Sequence, residues 1–280
     1  MQWFPAPAKL NLFLHVVGRR PDGYHLLETL FTFLDHGDEV GLRLRQDGQV
    51  RRLNDLPGVP EAQDLVVRAA RLLAGHAAAG AQGRRVPGVD IAVHKVLPMG
   101  GGLGGGSSDA ATVLLALNRL WQLDYPRDRL AELGLTLGAD VPVFVHGESA
   151  FATGVGDQLT PVAVPPDWYL VLIPPVAVPT AGIFGAPQLT RDTPRVKIAD
   201  FPRGFGHNDL QPVVLGRHPQ VQDCLDWLQA RTEARMTGSG CCIFAAFGTK
   251  AQALEVQSQV PGVWSSFVAQ GRQQHPLRTL

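Results

Sequence analysis

Cysteine is scarce in this chain. Only Cys224 and the adjacent Cys241 and Cys242 occur in 280 residues, an odd set with neither a disulfide framework nor a metal-ligand spacing. That usage fits a reducing compartment. Neither sign of charge is in excess, with 25 basic against 25 acidic residues, so electrostatic capture of nucleic acid or of an acidic membrane is not expected. No apolar run approaches the length of a membrane span. The opening MQWFPAPAKLNLFLHV has no basic n-region, and Lys9 interrupts its apolar part, so a signal peptide is not expected. The expectation is a soluble cytoplasmic protein.

Glycine, by contrast, is plentiful and concentrated. Residues 98–111 read PMGGGLGGGSSDAA, two glycine triplets around Leu103 followed by two serines and an apolar stretch. Glycine tolerates positive φ and lets backbone N–H groups approach a ligand with no Cβ in the way. Ser107 or Ser108 is placed to cap the helix that follows, whose N-terminus offers unpaired donors and partial positive charge. The combination predicts a polyphosphate cradle. A flexible linker is the bland alternative, but a linker does not run from a strand-like segment straight into a helix. The loop lacks the Lys and Ser/Thr of a Walker A motif. It also lacks the acidic residue about 20 positions on that a dinucleotide site needs.

Periodicity gives mixed α and β elements. Strands are expected at residues 10–17, around Val40, Leu42 and Leu44, at 89–93, 168–173 and 241–247. Helices are expected at 64–74 with Asp64 as cap, 108–121, 127–137, 219–230 and 249–259. A short helical turn with Pro142 early in it should follow Asp140. Residues 186–206, rich in proline and charge, are the expected mobile loop. The glycine-bearing stretch 147–161 divides the chain into expected domains 1–155 and 156–280. At 280 residues each can bury a core. The fold class is α+β, two-lobed, with the phosphate loop near the junction.

Three other segments carry chemistry-bearing side chains. Lys9 and Asn11 stand two apart on a strand and so share a face, with Leu10, Leu12 and Leu14 opposite. Arg20 to His25 is turn chemistry cornered by Pro21, Asp22 and Gly23, and Tyr24 and His25 beyond it can stack on and hydrogen-bond a planar ligand. Asp140 follows the Gly138 stop, where a carboxylate either caps a helix or faces a cleft. In MTGSG, residues 236–240, glycines again permit close backbone approach.

Taken together, PAKLNL, the glycine loop, GADVP and TGSG resemble the ordered motifs of the GHMP small-molecule kinases. Within them, the double triplet and GRRPDGYH, residues 18–25, resemble the branch acting on a cytidine diphosphate-linked methylerythritol of the non-mevalonate isoprenoid pathway. The resemblance implies the two-lobed GHMP fold, with ATP and acceptor sites in the cleft between lobes. It makes Asp140 the catalytic carboxylate and Lys9 its cationic partner. ATP would lie against Pro98, Met99, Gly100, Gly101, Gly102, Leu103, Gly104, Gly105, Gly106, Ser107 and Ser108, with Asp64, Leu65 and Lys95 near the adenine. Asn11, Tyr24, His25, Thr180 and Phe184 would serve the substrate, Tyr24 and Phe184 sandwiching the cytosine while His25 reads its edge. Mg2+ is expected with ATP, but its ligands are unknown. Ser108 and Asp109 are candidates, and Asp109 would repel ATP unless it faces a cation. A homodimer is left open. A GHMP kinase for homoserine, mevalonate or a sugar, and a non-catalytic nucleotide sensor, are the rival readings.

Overall fold

The computed structural model describes residues 1–80, 83, 85–196, 201 and 204–280. Its spine is a long antiparallel hairpin, β1 (Gln2–Arg19) and β2 (His25–Arg45). The turn between them is closed by Arg20 N donating to Tyr24 O at 2.7 Å and Gly23 N to Arg20 O at 3.0 Å. Both strands outrun the sequence expectation, because their polar positions are buried in a cleft rather than in an apolar face and break the alternating pattern. Register shifts between Pro7 and Lys9 and between Asn11 and Leu14 mark bulges, which re-aim side chains. They bring Leu14 onto the cleft beside Lys9 and Asn11, a correction to its expected opposite face.

One edge of β2 pairs with β1 along its length. The other takes in turn β5 (Ala150–Thr153), β10 (Ser265–Arg272) and β4 (Gly88–His94). β3 (Val50–Arg52) lies parallel to β4, and β6 (Gln158–Pro161) antiparallel to β5. β10 continues onto β7 (Trp168–Ile173), followed by β9 (Ile243–Phe247) and β8 (Ala234–Met236). One strand near the C-terminus thus stitches the sheets of the two lobes together. It went unread in the sequence because SSFVAQGR is only weakly alternating. The 241–247 strand starts at Ile243, because Cys242 N instead donates to Gly101 O at 3.1 Å.

Helices α1 (Leu65–Ala79), α2 (Gly105–Leu120), α3 (Arg127–Leu135) and α4 (Val141–His146) cover the first sheet. α2 is the central one. Its residues from Ser108 to Leu117 are all buried, so its near-uniform apolarity reflects contact on every side. In the other lobe, α5 (Thr180–Phe184), α6 (Gln211–Arg217), α7 (Pro219–Gln229) and α8 (Lys250–Gln257) accompany β7–β9. Between the lobes a third cluster joins Leu10, Leu34, Leu97, Tyr169, Val171 and Phe244 to Leu103. The residue dividing the glycine triplets is therefore an anchor, which holds the loop over the junction.

The segment expected to be mobile is tied down where it is described. Val196 N donates to Glu28 Oε2 at 2.8 Å, and Phe201 and Phe205 pack on Phe13. Residues 197–200, 202 and 203 of that expectation lie outside the described residues. Among the described residues no helix is long and apolar enough to cross a membrane.

Candidate active site

A cleft of about 1000 Å³ runs between the lobes. Of the residues expected in the site from the sequence, Ser108 alone does not line it. The reason lies in where α2 begins. Gly104 at φ 74° is its N-cap, and no side chain caps it, so the serines sit inside the first turn rather than ahead of it. Ser108 is fully buried, and its Oγ has no hydrogen-bond partner among the described residues. Leaving the cap to a glycine has a consequence. The first N–H groups of a helix have no intrahelical acceptor, and Gly105, Gly106 and Ser107 present that end to the cleft.

Two glycines of the loop are there for close approach. A Cβ on Gly102, φ 80°, would fall 2.3 Å from Thr237 O, and one on Gly104 would fall 2.9 Å from Phe144 Cζ and 3.0 Å from Lys9 Cε. The loop is wedged between the TGSG turn and Lys9. Lys9 N also donates to Leu103 O at 3.0 Å.

Lys9 is almost fully buried, with its Nζ 3.1 Å from Asp140 Oδ2 and 2.5 Å from Asn11 Oδ1. Asn11 Nδ2 donates to Thr29 Oγ1 and Asn11 N donates to Thr237 Oγ1, both at 2.8 Å. Asp140 occupies the N-cap position of α4 yet makes no capping bond, which leaves its carboxylate for Lys9 and for a ligand. Its side chain is 36% exposed. A buried cation beside a half-open carboxylate, next to a helix N-terminus, suits proton removal with charge stabilisation.

Asp109 does face a cation. Lys95 Nζ donates to Asp109 Oδ2 at 2.9 Å and to Asp38 Oδ2 at 2.5 Å, while Asp38 Oδ1 accepts from Val96 N and Leu97 N. One ammonium thus serves two buried carboxylates. Burial pushes the Asp109 carboxyl up to about 7, with Lys95 opposing and Asp38 adding to the rise, and its Oδ1 has no partner among the described residues. Asp64 caps α1 by accepting from Val66 N at 3.1 Å and pairs with Arg52 at 2.8 Å.

At the other end of the cleft, His25 lies against Phe184 with ring centroids 5.1 Å apart, and Tyr24 stands 65% exposed. Thr180 Oγ1 is 2.7 Å from Ser239 Oγ. Three contributors, Asp38, Thr29 and Asn208, lie outside the segments singled out in the sequence. Asp38 stands among other polar residues in DHGDE, residues 35–39, so its sequence neighbours do not single it out. Thr29 and Thr237 support Asn11, and Asn208 holds the TGSG turn by donating to Met236 O and Gly238 O. Nothing local marks Thr29 or Asn208, whereas Thr237 opens the TGSG motif.

Residues 64–148 match the GHMP kinases N terminal domain family and residues 198–266 the GHMP kinases C terminal family. A 4-diphosphocytidyl-2-C-methyl-D-erythritol kinase of Thiobacillus denitrificans is 62% identical over 276 residues, covering 99% of this chain and 97% of that protein. One of Aromatoleum aromaticum is 56% identical over 274 residues, covering 98% and 94%. A crystal structure of 4-(cytidine 5'-diphospho)-2C-methyl-D-erythritol kinase superposes with a TM-score of 0.82 at 31% identity, over 96% of this chain and 99% of that one. A homoserine kinase from Cytophaga hutchinsonii, at 18% identity and a TM-score of 0.68 over 97% and 95%, shares the fold. The chain belongs to the GHMP kinase superfamily, in its 4-diphosphocytidyl-2-C-methyl-D-erythritol kinase family.

Proposed function

We propose that the chain transfers the γ-phosphoryl group of ATP to the 2-hydroxyl of 4-diphosphocytidyl-2-C-methyl-D-erythritol. The observation that carries this reading is one of placement. The Lys9–Asp140 pair lies in a single cleft with the glycine loop and with Tyr24, His25 and Phe184.

Asp140 accepts the proton as the substrate oxygen bonds to the γ-phosphorus. The bond from that phosphorus to the β–γ bridging oxygen breaks, and ADP leaves. Lys9 offsets negative charge on the group in transit, while the N–H groups of Gly105, Gly106 and Ser107 hold the phosphates in line. Asn11, braced by Thr29 and Thr237, keeps Lys9 aimed. Tyr24 and Phe184 sandwich the cytosine and His25 reads its polar edge. Asp64, Leu65, Lys95 and Met99 serve the adenine side, and Thr180 the substrate side.

The cleft offers hard oxygens that suit Mg2+. Asp109 Oδ1 is unpartnered among the described residues, and Asp109 would hold the ion. Bound with ATP, it supplies charge neutralisation on the phosphates.

The test is ADP release from ATP with 4-diphosphocytidyl-2-C-methyl-D-erythritol, homoserine or mevalonate as acceptor. Turnover with the first alone is expected. Turnover with either of the others in its place would overturn the substrate assignment, and none with any would favour a sensor.

A further inference from the structure

Arg191 lies outside every motif that marked the site, yet its guanidinium reaches the acceptor end of the cleft. Its Nε donates to His25 Nε2 at 3.1 Å. Its remaining nitrogens donate to Leu189 O at 2.9 Å, Phe184 O at 3.1 Å and Ala186 O at 2.7 Å. One side chain therefore grips the backbone that carries Phe184 and the imidazole that packs on the Phe184 ring.

A guanidinium has donors and no acceptor. Where it donates to a histidine nitrogen, that nitrogen must be the bare one. In a neutral imidazole the other nitrogen then carries the hydrogen. Every cation near the ring acts in the same direction. Burial first, then Arg191 and Arg19, hold His25 below its ordinary value, while the nearby Asp22 carboxylate is engaged by Arg20 at 2.6 Å. The ring is neutral at neutral pH, and its proton sits on Nδ1.

We infer that Arg191 is a positioning residue for acceptor specificity. By fixing His25 as the Nδ1–H tautomer it makes the cleft present a hydrogen-bond donor to the base, which suits cytosine and disfavours uracil. The inference rests on the cytidine reading above. Cytosine N3 is an acceptor flanked by the O2 acceptor, whereas uracil N3 bears a hydrogen that would oppose the Nδ1–H. A site built around a donor rejects the analogue that cannot accept from it. Without Arg191 the ring is free to move its hydrogen to Nε2, and the donor is lost.

The experiment has two arms. The 15N shifts of His25 in the wild-type protein read the tautomer directly and need no variant. Nδ1 should be of the protonated type and Nε2 of the bare type; the reverse overturns the inference. In the second arm CDP and UDP compete against the acceptor substrate in wild type, Arg191→Met and Arg191→Lys. The preference for CDP should fall about tenfold in Arg191→Met, the worth of one well-made hydrogen bond, with kcat at saturating acceptor little changed. Arg191→Lys, which still donates, should recover part of it. Acidifying from about pH 8 to about pH 5.5 should restore CDP affinity to Arg191→Met and not raise it in wild type, because protonation puts a hydrogen on both ring nitrogens. An unchanged CDP preference in folded Arg191→Met overturns the inference. Failure of CDP to compete even in wild type overturns instead the cytidine reading on which it stands.

Discussion

Lys9 Nζ and Asp140 Oδ2 meet at 3.1 Å, although one comes from a strand of the long hairpin and the other from the N-cap of α4. The cap position is the key to the pair. An aspartate there ordinarily spends its carboxylate on the helix's own N–H groups, and this one does not. Asp140→Asn should therefore leave the melting temperature near that of wild type. It should lower kcat by about 10²–10⁴-fold, the usual worth of a general base, with both KM values little changed. Wild-type kcat in this variant would remove the carboxylate from the mechanism.

The glycine loop separates into residues that pack and residues that bind. Gly104→Val places a branched side chain against Phe144 and Lys9 Cε at a φ of 74°, so it should cost stability and activity together. Gly106 has no such strain, and the nearest atom to its added Cβ is Leu65 Cδ1 at 3.4 Å. Gly106→Val should fold and raise the ATP KM by obstructing the helix N-terminus where the phosphates lie. Paired melting curves and ATP titrations distinguish the two. Unaltered ATP affinity in Gly106→Val would take the phosphates away from that turn.

How much was legible in advance depended on whether the information was local. The Asp64 cap of α1, the short α4 with its early proline and the Arg20–Tyr24 turn all follow from nearby residues, and the structure has them. The cap of α2 misled because serine normally wins that position, whereas here the chain needs the αL geometry of Gly104 to pass Phe144 and Lys9. Neither contact is visible in the loop's own sequence. β10 and Asp38 are non-local in the same way. A weakly alternating strand acquires its meaning only from the two sheets it joins, and a buried acid only from Lys95.

Stacking at the acceptor end can be tested by truncation. Tyr24→Ala and Phe184→Ala should each weaken the cytidine substrate by roughly 5- to 150-fold, taking stacking at about 1–3 kcal/mol per ring, and leave ATP affinity unchanged. Tyr24 is mostly exposed, so its loss should not move the melting temperature. Phe184 packs against the core of the second lobe and should lower it somewhat. Weakened ATP binding in both would exchange the two ends of the cleft.

Arg127 ties the far end of α4 to the chain terminus by donating to Val145 O at 2.5 Å, Leu277 O at 2.9 Å and Arg278 O at 2.7 Å. Arg127→Met strands these carbonyls and should destabilise the protein by about 2–4 kcal/mol. That corresponds to a drop of roughly 3–7 °C in melting temperature. Because α4 carries Asp140 at its other end, kcat should fall more than the ATP KM rises. A variant as stable and active as wild type would show that the terminus does not brace this helix.

The buried triad under the loop predicts how stability varies with pH. Burial, partly offset by Lys95 and reinforced by Asp38, lifts the Asp109 carboxyl to about 7, above its value of about 4 in an unfolded chain. Between those values the folded chain holds a proton that the unfolded chain has released. Stability from this group is therefore greatest in acid and declines as pH rises from about 4 to about 7. An amide in place of this carboxylate has no charge to bury and still offers Lys95 an oxygen. Asp109→Asn should accordingly melt above wild type at about pH 8, with the gap closing by about pH 4, and thermal melts across that range would show it. A gap independent of pH would mean that the aspartate is not the group under strain. Mg2+ with ATP supplies the complementary check, since a cation on Asp109 Oδ1 would favour the ionised form in wild type. Adding both should raise the melting temperature of the wild type at about pH 8 more than that of Asp109→Asn. Equal shifts would place the ion on other ligands.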